Sequence, residues 1–142
     1  MAHPVCFLIS FTAVPRDSEI IGIGKSNAFA VEKNGISTLA HLDVNMPLLE
    51  RTRDEIQAQF PHIEVEVLQV NVADQTSIET AVRTLVEKAG RIDIGVNCAG
   101  ISGSPTPTHE MSLSEWQKVV DINQTGLWLC QMALIRQMLK QE

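Results

Sequence analysis

The sequence predicts an α/β fold, a single parallel sheet with helices on both faces. Two observations lead there. Four short β-rich runs alternate with segments of helical period, and no repeat, low-complexity tract or linker interrupts the 142 residues. Strand–helix–strand units in one sheet connect by right-handed crossovers, which make the strands parallel and place the helices on the faces. The length fits one domain, residues 1–142.

VCFLISF (5–11), bounded by His3-Pro4 and Pro15, reads as the first strand. ISTLAHL (36–42) follows the turn pair Asn34-Gly35 and reads as the second. EVEVLQV (64–70) opens in strict alternation, with Val65 and Val67 between glutamates. RIDIGVN (91–97) is the fourth, weakened by Gly95 in its interior. Between the runs the period turns helical. Leu48, Thr52, Ile56 and Phe60 recur every four residues, and Ile78, Ala81, Val82, Leu85, Val86 and Ala89 form an amphipathic stripe. Thr76-x-x-Glu79 reads as a capping box at its start, and Ser112-x-x-Glu115 as another before a long last helix. The stripe of that helix is expected to run Trp116, Val120, Asn123, Leu127, Cys130, Leu134, Met138.

Composition excludes several partners. A net charge of −6 argues against nucleic acid and anionic membrane surfaces, which need excess Lys and Arg. The three cysteines lie far apart with no CxxC spacing, and His3, His41, His62 and His109 are isolated, so no metal site is expected. PVCFLISFTAV lacks the basic flank of a signal peptide and fits a buried strand better. No run approaches the ~18 apolar residues of a membrane span. A soluble, cytoplasmic chain is the expectation.

In such sheets ligands bind at the carboxyl ends of the strands. Gly22-Ile23-Gly24 falls between the first strand and a helical segment, where a phosphate-cradling loop belongs; taken alone it reads equally well as a structural turn. Asp43 ends the second strand 19 residues after Gly24, close to the spacing at which an acid meets an adenosine ribose. Its other reading is an acid at a helix N-terminus. Asn71-Val72-Ala73-Asp74 and Asn97-Cys98-Ala99-Gly100 end the third and fourth strands. Four strand ends carrying small or polar residues along one sheet edge favour a dinucleotide cleft over four independent turns. Asn123 sits in the apolar stripe of the last helix, where a buried amide must be hydrogen-bonded or cost about 1–3 kcal/mol. It either bonds neighbouring backbone or holds a water or catalytic side chain.

GIGKSNAFA, LDVN, VNVAD, RIDIGVNCAGI and EWQKVVDINQTGLWLC, in this order, resemble the short-chain dehydrogenase/reductase family from about residue 22 to 140. The resemblance implies a Rossmann-like sheet of strand order 3-2-1-4 and an NAD(P)-dependent oxidoreductase acting on a carbonyl or hydroxyl of a small molecule, such as a secondary-metabolite tailoring step. It places Gly22, Ile23 and Gly24 against the cofactor's pyrophosphate and Asp43 on the adenosine ribose. Asn71 and Val72 would take the adenine, Asn97, Ala99 and Gly100 the far side of the cofactor. Asn123 matches the family's catalytic asparagine, which supports a water in the proton relay. Asp43 favours NAD over NADP, because a carboxylate repels a 2′-phosphate.

The sequence also departs from the family. Its first loop reads Thr12-Ala13, then Val14 to Ile21 before Gly22; the leading glycine is missing, and Asp17 and Glu19 bring negative charge where a pyrophosphate would sit. Impaired cofactor binding is expected. Asn71 stands where the family has aspartate, and Cys98 where it has a second asparagine. The family's catalytic serine, tyrosine and lysine would follow the last of the 142 residues, among which there is no tyrosine. On this reading the domain is incomplete, truncated after the fourth strand and its following helix, and inactive as this chain. Two alternatives stand beside it: a non-catalytic subunit pairing with a full-length relative (or a second copy) through its last helix, and a gene-model fragment.

Overall fold

Four parallel strands pair side by side in the order β3-β2-β1-β4: β1 (Val5–Ser10), β2 (Thr38–Asp43), β3 (Glu64–Gln69) and β4 (Ile94–Cys98). The order is the expected one. The computed structural model describes residues 5–10, 30 and 35–141, and for residues 6–10 the backbone only. The chain steps from β1 to β2 to β3, then crosses back to place β4 on the far side of β1. Ile9 stands opposite both Leu42 and Asn97, Ser10 opposite Cys98, and Asp43 opposite Gln69, so the carboxyl ends of the strands form one edge.

Helix α1 (Met46–Gln59) covers one face. Leu49, Thr52 and Ile56 are its buried positions. Leu48 is only half-buried, since the buried stripe starts one residue later than expected, and Phe60 is the C-cap rather than a helical position. Leu39, Ile56, Ile63 and Val65 form the core there, with Ile94, Val96 and Cys98 of β4 against them. Helix α2 (Gln75–Ala89) covers the opposite face through Ile78, Ala81, Val82 and Leu85, as its stripe requires. Burying each such side chain contributes roughly 1.5–3 kcal/mol. Its cap is not the expected one. Asp74 accepts from the Thr76 N–H at 2.9 Å and starts the helix ahead of Thr76, while Glu79 accepts from Gln75 Nε2 at 2.7 Å. The aspartate side chain reaches an N–H two residues on in the extended conformation it holds, so it takes the cap first. Gly90, at φ +81°, ends the helix in the left-handed region that a glycine enters without strain.

The last helix is interrupted. Helix α3 (Leu113–Val120) begins at the expected capping box, with Ser112 and Glu115 bonding each other's backbone N–H at 3.2 and 3.0 Å. The hydroxyl and amide of Ser112 hold the Glu115 carboxyl below its usual range. At Asp121–Gly126 the chain takes a π-turn before resuming as helix α4 (Leu127–Met138). The extra residue per turn rotates the stripe. The buried positions become Ile122, Gly126, Leu129, Cys130 and Leu134, while Trp116, Asn123 and Leu127 of the expected stripe face solvent.

Two glycines bring this helix close to the sheet. A Cβ on Gly126 would lie 2.8 Å from the Val72 carbonyl oxygen, and one on Gly95 would lie 2.7 Å from Leu134 Cδ1. Gly95 thus admits α4 onto β4, the close approach that a glycine inside a strand permits. At the other end of β4, Arg91 donates to Asp93 at 2.6 and 2.8 Å, and Asp93 accepts from the Val5 N–H at 2.9 Å. The Arg91 guanidinium holds the Asp93 carboxyl below its ordinary range against the opposing effect of burial. No helix among the described residues is long and apolar enough to cross a membrane.

Candidate functional site

The carboxyl ends of β2, β3 and β4 carry most of the residues that the sequence marks out. Gly22, Ile23 and Gly24, with the acidic stretch before them, lie outside the described residues.

Asp43 is buried at the end of β2. Its Oδ1 accepts from the Asn45 N–H at 2.9 Å, and its carbonyl accepts from the Val70 N–H at 2.9 Å. Asn45 then caps α1, accepting from the Leu48 N–H at 3.2 Å. The cap of that helix is therefore Asn45, and Asp43 shapes the turn before it. Gln69, which belongs to none of the sequence motifs, reaches from β3 to donate to the Val44 carbonyl at 2.9 Å. No local signal marks it, because the contact joins residues far apart in the chain.

Asn71 is exposed and closes its own turn. Its Oδ1 accepts from the Ala73 N–H at 3.1 Å and its N–H donates to Ser77 Oγ at 3.1 Å. Val72 is a core residue, buried against Gly126 and the α2 face. The Val72 side chain is therefore not available to a ligand, whereas the Asn71 amide is exposed.

Along β4, Ala99 is buried and Gly100 half-buried. The Asn97 Oδ1 is buried with no hydrogen-bond partner among the described residues. An acceptor in that state costs about 1–3 kcal/mol until a donor meets it. Cys98 is half-buried at the strand's end. Cys130 is inert, since burial pushes its thiol up to about 12.

Asn123 departs from its expected setting. It is exposed, on the π-turn, and its amide grips one residue: Oδ1 accepts from the Ile101 N–H at 2.8 Å and Nδ2 donates to the Ile101 carbonyl at 2.8 Å. Of its two readings, the one bonded to neighbouring backbone describes its side chain. Gly100 lies against that amide, where a Cβ would sit 3.5 Å from Oδ1. The loop leaving β4 is thereby fixed to the helix. No group of three metal-ligating side chains occurs among the described residues.

A model of the short chain dehydrogenase family matches residues 20–142. A 3-oxoacyl-[acyl-carrier-protein] reductase of Synechocystis sp. is 35% identical over 121 residues, covering 85% of this chain and 48% of that protein. The crystal structure of levodione reductase superposes with a TM-score of 0.84 at 28% identity, over 97% of this chain and 50% of its own. That of NAD⁺-bound xylitol dehydrogenase superposes with a TM-score of 0.83 at 25% identity, over 97% of this chain and 49% of its own. The chain spans about half the length of these proteins.

The Asn123 grip predicts a local effect. Asn123→Leu should speed amide exchange at Ile101 about tenfold and lower stability by about 1–2 kcal/mol, the worth of one to two hydrogen bonds. Unchanged exchange at Ile101 would show that the grip holds nothing.

Proposed function

The chain belongs to the short-chain dehydrogenase family of oxidoreductases, and from that premise we propose that it forms the dinucleotide-binding part of a cytoplasmic, NAD-dependent enzyme acting on a carbonyl or hydroxyl of a small molecule. One observation carries the reading: strand order reverses at β1, with Asp43 on one side of that point and Asn97 to Gly100 on the other. Ligands of open α/β sheets bind in the crevice at such a switch point.

The residues present fit a dinucleotide. Asp43 would accept from the adenosine 2′-hydroxyl, its carboxylate already oriented by the Asn45 N–H. The Asn97 oxygen, without a partner among the described residues, would suit a ribose hydroxyl or amide donor, and the Asn71 turn would meet the adenine. When bound, the nicotinamide supplies the hydride chemistry. Asn123 serves this site as a positioning residue, holding Ile101 and hence the Asn97–Gly100 segment. A proton donor for the substrate oxygen is a separate need. The 142 residues contain no tyrosine, the family's donor by resemblance, so this chain alone is proposed not to turn over.

Calorimetric titration tests the cofactor assignment. NAD should bind more tightly than NADP, weakly in both cases because of Asp17 and Glu19, and Asp43→Asn should narrow the difference. Tighter NADP binding to the native chain would overturn it.

A pairing role has an observation of its own. Leu113, Trp116, Trp128, Ile135 and Leu139 are exposed along α3 and α4, an apolar row that a partner helix pair would cover. We propose association of copies, or with a longer relative, through this helix. Sedimentation should show a dimer that Trp128→Glu dissociates; a monomer at all concentrations, with or without that relative, would contradict it.

A further inference from the structure

The turn between β2 and α1 holds a coupling that rests on the dinucleotide reading and extends it. Val44 and Asn45 share one peptide unit, whose C=O and N–H move as a rigid plane. Gln69 Nε2 donates to the oxygen end at 2.9 Å, and Asp43 Oδ1 accepts from the nitrogen end at 2.9 Å. One peptide plane is thus pinned from both sides, by a strand neighbour and by the carboxylate itself. Asp43 and Gln69 also stand opposite each other in the β2–β3 register, and the Val70 N–H fixes the Asp43 carbonyl at 2.9 Å. If the Val44 carbonyl were released, the plane could rotate. The Asn45 N–H would then leave Asp43, and the carboxylate would lose a bond that helps to orient it.

We propose that Gln69 is a specificity-positioning residue. By fixing the Val44–Asn45 peptide it holds the Asp43 carboxylate where a ribose 2′-hydroxyl is accepted and a 2′-phosphate is repelled. Gln69 need not touch the cofactor for this. Its side chain is exposed, so its replacement leaves the core intact.

The test uses the full chain and three forms: native, Gln69→Leu, which removes the donor, and Gln69→His, which keeps a neutral donor of similar reach at pH 8. Dissociation constants for NAD and NADP are measured by calorimetry, and Asn45 amide exchange is measured without ligand. Gln69→Leu should speed Asn45 exchange and weaken NAD roughly 3- to 10-fold, the effect of one hydrogen bond. NADP should change less than about twofold on the same scale, so the preference falls. Gln69→His should restore both readouts. Equal weakening of both dinucleotides, an unchanged preference, or a histidine variant that behaves like leucine would overturn the inference while leaving the dinucleotide reading standing. A native chain that binds neither dinucleotide would instead defeat the dinucleotide reading, and this inference with it.

Discussion

Two side-chain amides, Asn123 on the π-turn and Gln141 just past the last helix, hold the fourth strand in place, and the candidate site depends on that hold. Asn123 bonds both backbone groups of Ile101 just after β4, and Gln141 bonds both backbone groups of Ile92 just before it, each at 2.7–2.8 Å. Among the described residues β4 pairs with β1. The amides, with the close contacts admitted by Gly95 and Gly126, tie the strand to the chain segment that follows it. They fix where Asn97, Ala99 and Gly100 present themselves. The π-turn belongs to the same device, because it turns Asn123 towards Ile101 while Ile122 and Cys130 stay in the core.

The opposite side of the switch point is held by different means. Asp43 ends a strand that is buried along its whole length, lies between β1 and β3, and packs against α1 through Leu39 and Ile56. The turn that follows is tied by bonds from Asp43, Asn45 and Gln69. One side of the cleft is set by sheet pairing and the other by helix-to-strand amides.

The strands were legible in the sequence because buried β-rich runs leave little room for another structure; each begins within about three residues of its expected start. The α2 stripe and the Ser112–Glu115 cap were legible for the same reason, being local patterns. Strand order and family followed from the motif blocks, and the placement of Asp43 and Asn97 on the two strands that flank β1 followed from strand order. The π-turn was not legible. DINQTG reads smoothly as α-helix, and only the packing of Gly126 on the Val72 carbonyl shows where the stripe rotates. Asp74 and Thr76 were competing caps two residues apart, decided by backbone geometry. The Gln69 and Gln141 contacts join residues 25 and 49 positions apart, and an exposed glutamine carries no periodic signal.

On the dinucleotide reading, the strand ends on both sides of the switch point form one cleft for one ligand. Hydrogen-exchange mass spectrometry of the chain with and without saturating NAD tests it most directly. Simultaneous protection is expected for peptides containing Asp43 to Asn45, Asn71 to Ala73, and Asn97 to Ile101, with little change across the outer face of α2. Protection confined to one of these segments, or centred on the groove between α2 and α4 around Val82, Val86 and Ala133, would contradict it.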